Sequence, residues 1–232
     1  MARIPAVIRG AWSGLVGLGV LVGAVIQAVL LARHDVPVTL ALAIDLVALL
    51  SGLLAAKLLY MALRPRAWRQ SIGEGWSVDG FLVVTPAVAL AALLALDLPV
   101  GAFLDASAPA LFFGVATGRL GCFLTGCCAG RCTRSRWGVW SSDRRIGARR
   151  VPTQLLESAA GLLIGAVTLV LVLTYAPGIR GMIFVAAIAA YVLVRQLLLR
   201  LRAEPHNLRR GQVTGAVALL VLAGAVGALV VG

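Results

Sequence analysis

Charge is scarce in this sequence: 13% of its 232 residues are Asp, Glu, Lys or Arg, about half the share in a water-soluble domain. The deficit is one-sided, with 9 acidic side chains against 21 basic ones and a formal net charge of +12. Lys57 is the lone lysine and Asn207 the lone asparagine, histidine occurs twice, and the 4 cysteines fall within one short stretch. So little polarity excludes a disordered chain and a coiled coil, and so few cysteines exclude a secreted disulfide scaffold. What fills the sequence is apolar: 61% hydrophobic residues and a mean hydropathy of +0.99. This composition belongs to a membrane protein, and its excess of arginine fits lipid headgroup phosphate rather than nucleic acid.

About 20 apolar residues carry a helix across some 30 Å of hydrocarbon, where every backbone amide must be satisfied internally. Seven stretches qualify: residues 10–32, 36–63, 80–97, 99–124, 153–176, 180–200 and 211–232. The expected fold is an all-α polytopic transmembrane bundle of about seven helices, one integral membrane domain over 1–232 with no soluble domain between spans. The first run is too long for a cleaved leader and reads as an anchor. The longest polar loop, about 126–152, carries seven arginines with Trp137 and Trp140, and its composition predicts a position on the membrane surface. Counted by alternate loops, basic residues divide sixteen to two, which places the N-terminus and the long loop in the cytoplasm.

Asp45, Lys57, Asp105, Arg119, Glu157 and Arg195 interrupt apolar spans. Each costs about 2.5–3.5 kcal/mol at the bilayer centre when lipid-facing, so all six are expected to face inward. Three acids and three bases permit plain mutual neutralisation. A second reading is that Arg119, between Gly118 and Gly121, and Arg195, one helical turn from Tyr191, converge on an enclosed pocket for an anionic headgroup, since guanidinium forks grip phosphate oxygens in pairs. Gly19 with Gly23 and Gly161 with Gly165 are spaced for close helix packing.

The run Gly118-Arg119-Leu120-Gly121-Cys122-Phe123-Leu124-Thr125-Gly126, followed by Gly130-Arg131 and Trp137-Gly138, resembles the G-R-[IL]-G-N-F-[IL]-N-G-E, G-R and W-G signature of the prolipoprotein diacylglyceryl transferase family. Arg150-Val151-Pro152-Thr153-Gln154-Leu155-Leu156-Glu157 is similar to its R-H-P-S-Q-L-Y-E, and Tyr191 with Arg195 to its Y-G-x-x-R. Asp45 and the segment around Lys57 follow the family's upstream pattern, with lysine where arginine is usual. The resemblance spans almost the whole chain. It implies a multi-pass enzyme of the bacterial plasma membrane that moves a diacylglyceryl group from phosphatidylglycerol to the thiol of a lipoprotein cysteine and releases glycerol phosphate. The partners it implies are an anionic phospholipid and a thiol-bearing protein acceptor; no cofactor is expected.

Under that resemblance Arg119 and Arg195 clamp the phosphate, Tyr191 hydrogen-bonds it, and Gly121 and Gly130 let backbone approach it, with Arg131, Lys57 and Glu157 as further lipid-site residues. The family's histidine is replaced by Asp79, its G-N asparagine by Cys122, the acid that follows by Cys127, and the H and Y of H-P-S-Q-L-Y-E by Val151 and Leu156. Asp79 is the remaining candidate base, on condition that burial makes it more basic than an ordinary carboxylate. His34 and His206 fall in surface loops. The family's arginine-rich loop works on the outer side of the membrane, opposite to the arginine tally; the family topology is preferred, because arginines that bind anionic lipid distort such a tally.

Cys122, Cys127, Cys128 and Cys132 are spaced C-x4-C-C-x3-C. Without C-x2-C pairs or nearby histidines, that spacing is a mediocre zinc motif, and no metal is expected from it. A loop disulfide, packing of small apolar side chains, and a reactive thiol at Cys122, three residues after Arg119, stay open. The alternatives to a transferase are a divergent protein that binds anionic lipid without chemistry and a thiol-redox membrane protein.

Overall fold

The computed structural model describes residues 10–34, 36–63, 77–141, 147–175, 178–203 and 208–231; Arg3, Arg9, Arg64, Arg66, Arg69, Arg144, Arg145 and His206 lie outside them. Among the described residues seven helices follow in order: α1 (Ala11–Ala32), α2 (Val38–Ala62), α3 (Val78–Ala95), α4 (Val100–Thr125), α5 (Thr153–Thr174), α6 (Met182–Leu199) and α7 (Leu208–Val231). Six are long and apolar enough to cross a membrane, while the apolar stretch of α3, Asp79–Ala95, is shorter. The chain is a multi-pass, all-α membrane protein. Large apolar side chains that a soluble bundle would bury point outward on every helix. Leu21 is 67% exposed, Val83 67%, Leu163 66% and Leu220 74%, which is stable only where the surrounding solvent is lipid.

The described residues form two compact units. One runs from Leu31 to Phe103; the other comprises the chain up to Leu30 and from Leu104 onward. In the first, α2 and α3 pack at glycines: a Cβ on Gly80 would lie 2.7 Å from the Ala55 carbonyl oxygen, and one on Gly52 would meet the Thr85 hydroxyl. In the second, α1 and α4 meet where a Cβ on Gly23 would sit 3.0 Å from the Ala110 carbonyl oxygen, and α4 and α5 meet where one on Gly161 would sit 3.2 Å from that of Phe112. Small residues bring backbones together here because lipid supplies no hydrophobic drive between helices.

The inward face of α5 carries Thr153, Gln154, Glu157, Ser158, Gly161, Gly165 and Thr168, all buried, so this helix is polar inside and apolar outside. Asp105, buried in α4, has a structural role. Its two carboxylate oxygens accept the Gly181 amide at 2.7 Å and the Phe184 amide at 3.2 Å, satisfying N–H groups that the start of α6 would otherwise leave bare in an apolar setting.

The loop after α4 is knitted into place. Val139–Trp140 pairs antiparallel with Arg149–Arg150, and the Arg131 and Ala203 amides donate to the Leu201 and Ala129 carbonyls at 2.9 and 3.2 Å. Arg149 spends its guanidinium inside the loop, donating to the Gly138 and Arg136 carbonyls. Trp137 stands 74% exposed.

Candidate functional site

The site is built from three helices around one acid. Glu157, in the second turn of α5, is 4% exposed, and its Oε1 receives three donors. The Tyr191 hydroxyl is 2.8 Å away and the Arg195 guanidinium 2.7 Å, both from α6. The Arg119 guanidinium, from α4, lies at 3.0 Å. Charge-assisted bonds of this kind are roughly twice as strong as neutral ones. Two guanidiniums against one carboxylate leave the cluster one positive charge in excess. Exposure rises across it, from 5% for the Glu157 side chain to 18% for Arg119 and 37% for Arg195, so Arg195 forms the open side. The Tyr191 ring is fixed by Phe112, with centroids 5.4 Å apart.

Sequence reasoning has Arg119 and Arg195 converge on one enclosed pocket. They do converge, but the space at their meeting point is taken by Glu157. An acceptor-only carboxylate does not itself grip phosphate; here it aims three donors at one oxygen. A cavity of about 300 Å³ between α6 and α7 is lined by apolar groups including Ile188, Val192, Val217 and Val221. A much smaller one, about 10 Å³, lies beneath the loop among Phe123, Trp140, Arg150 and Gln154.

The other candidates fall elsewhere. A Cβ on Gly121 would lie 2.9 Å from Trp12 Cα, and one on Gly130 would meet the Val151 carbonyl oxygen, so both glycines serve close packing of backbone. Arg131 is exposed and donates to the Arg200 carbonyl. Lys57 and Asp79 belong to the Leu31–Phe103 unit; Lys57 Nζ stands 5.8 Å from the Tyr60 ring centroid. Asp79 is exposed in the first turn of α3, so the burial on which its role as a base depended is not found. His34 is exposed too.

One turn beyond Arg119, buried Cys122 begins a second cluster. Its sulfur and those of Cys127 and Cys128 lie within 4.8 Å of one another, and all four cysteines are unbridged. Hydrogen bonds from the Cys122 and Cys128 thiols, and then from the Thr125 hydroxyl, hold the Cys127 thiol well below its ordinary pKa, against the opposing effect of burial. The first turn of α5 fixes the cysteine loop: Gln154 Nε2 donates to the Cys127 carbonyl at 2.7 Å and Thr153 Oγ1 to that of Cys128 at 3.2 Å. Sequence reasoning missed these two residues as site components, because polar side chains at a helix start are ordinarily solvated.

Comparison with protein-family models matches residues 3–230 to prolipoprotein diacylglyceryl transferase. A comparison with curated proteins returns no match. The chain belongs to the prolipoprotein diacylglyceryl transferase family, and is a transferase-family membrane protein.

Proposed function

We propose that this transferase moves a diacylglyceryl group from an anionic phospholipid, phosphatidylglycerol in the first instance, to a protein thiol. The observation that carries the reading is the convergence of Arg119, Arg195 and Tyr191 on a single anionic oxygen. The thiolate attacks the glyceryl carbon that bears the phosphate; the S–C bond forms, the C–O bond breaks, and glycerol phosphate leaves with the electron pair. Negative charge gathers on the departing phosphate, and donors already oriented in a water-poor site stabilise it without reorganisation. The surplus positive charge of the cluster suits that task, and Glu157 keeps the donors in place. The apolar cavity beside α6 suits an acyl chain on the same helix that carries Tyr191 and Arg195. We assign the arginine-rich loop to the outer side of the membrane.

Purified protein given labelled phosphatidylglycerol and a lipoprotein-type cysteine peptide yields lipidated peptide and glycerol phosphate. Arg119→Ala lowers the turnover by about 10²–10³-fold, the usual cost of losing one transition-state donor. If wild-type protein transfers nothing to any thiol, the reading fails. Lipid binding that Arg119→Ala abolishes, with no glycerol phosphate released, would mark an anionic-lipid-binding protein instead.

A further inference from the structure

An acceptor thiol must lose its proton before it attacks, since a free cysteine has a pKa of about 8.5. Among the described residues, His34 and Asp79 are both exposed. Among the described residues, a grouping that can bind and ionise a thiol, the cysteine cluster, begins one helical turn from Arg119. We propose that Cys122, Cys127 and Cys128 form a three-thiolate zinc site whose fourth position receives the acceptor thiol. The role of that fourth position rests on the transferase reading; the metal site stands independently of it.

Geometry carries the proposal. Zinc–sulfur bonds of about 2.3 Å set tetrahedral thiolates about 3.8 Å apart, and the three sulfurs lie within 4.8 Å of one another, an adjustment that side-chain rotation can supply. A disulfide would join only two of them. The spacing in the sequence argued against zinc because it counts residues along a line, whereas the backbone here doubles back. Gly126 has φ +78° and Cys128 φ +55°, and the second is a left-handed conformation that non-glycine residues adopt at a cost. That bend turns Cys127 and Cys128 toward Cys122, and the bonds from Gln154 and Thr153 to the two cysteine carbonyls hold it. The loop is thus shaped by its scaffold to aim thiols inward. Cys122 is buried while Cys127 is exposed, so the coordination shell closes on the protein side and opens outward. Cys132 stands outside the group, its backbone paired antiparallel with that of Arg150.

Three site thiols release their protons to solvent when zinc binds. An incoming acceptor thiol releases its own on joining the ion, becoming a thiolate at neutral pH. That sulfur then forms the new S–C bond while glycerol phosphate departs toward Arg119, one helical turn from Cys122. Alkylation converts the bound thiolate into a neutral thioether, a weaker ligand that dissociates and reopens the position.

The test uses the full chain in detergent, purified under anaerobic reducing conditions and dialysed against zinc. Metal analysis gives about one zinc per chain for wild type and for Cys132→Ser, and a small fraction of that for Cys122→Ser and Cys128→Ser. Should either variant fail to fold, zinc protection of the wild-type thiols from alkylation, read by mass spectrometry, reports the same ligands. With Co²⁺ in place of zinc, a cysteine peptide strengthens the sulfur-to-metal charge-transfer band and its serine analogue does not. Sub-stoichiometric zinc, zinc indifferent to Cys122→Ser, a native disulfide within the trio, or a cobalt spectrum unmoved by the cysteine peptide would each overturn the proposal. Zinc bound and thiol-responsive without any lipid transfer would leave the metal site standing and remove the transferase reading.

Discussion

At the scale of single residues, a charged side chain in an apolar span is the plainest signal this sequence offers. Arg119, Glu157 and Arg195 stood out because each is costly against lipid, and the structure brings these three together with Tyr191. What the sequence did not reveal was the division of labour. Spacing along one helix fixes which residues share its face, but not which helices face one another. Glu157 therefore could not be recognised as the counter-ion of two arginines, nor Asp105 as the cap of a distant helix. Glu157→Gln preserves shape and removes the charge, leaving two guanidiniums to repel. Losing one partner of a buried pair costs about 3–5 kcal/mol, less where solvent reaches it. With Arg195 37% exposed, a loss near 2–3 kcal/mol is expected, read as a lower unfolding temperature in detergent. Combining it with Arg119→Gln should restore part of that loss; a variant with wild-type stability would contradict the assigned role.

At the scale of elements, span boundaries are legible because bilayer thickness dictates them. The expected stretch 153–176 is the helix Thr153–Thr174, and 99–124 is Val100–Thr125. The paired strands Val139–Trp140 and Arg149–Arg150 had no signal, since two-residue strands are too short for an alternating pattern to register. Glycine spacing marked helix seams at Gly19 with Gly23 and Gly161 with Gly165, and all four lie against a neighbouring helix. A Cβ on Gly23 would lie 3.0 Å from the Ala110 carbonyl oxygen, whereas one on Gly17 would meet nothing within 4 Å. Gly23→Leu must therefore push α1 from α4, at about 1–3 kcal/mol as for other overpacked seams, while Gly17→Leu is neutral. Thermal unfolding of the two variants in one detergent separates them, and equal behaviour would count against this seam.

At the scale of the whole molecule, the net charge of +12 and the outward-facing leucines and valines describe a chain suited to a lipid bilayer. The arginine tally conflicts with the sidedness expected for the family, and the loop suggests why a tally misleads here. Arg149 and Arg131 are committed to loop and neighbouring carbonyls, so these charges serve local architecture as well as membrane insertion. A chain retaining only Cys132, which is exposed, reports the orientation directly. In right-side-out vesicles a membrane-impermeant maleimide should label it from outside; labelling only after permeabilisation would restore the orientation given by the tally.

The opening turns of α5 link the two clusters. Gln154 grips the cysteine loop and Glu157, three residues on, gathers the arginines. Because an α-helix advances about 100° per residue, one rigid rod sets the angle between them. Inserting or deleting a residue between these positions would throw the cysteine loop and the arginine cluster out of phase together, so a change that spares one still disturbs the other.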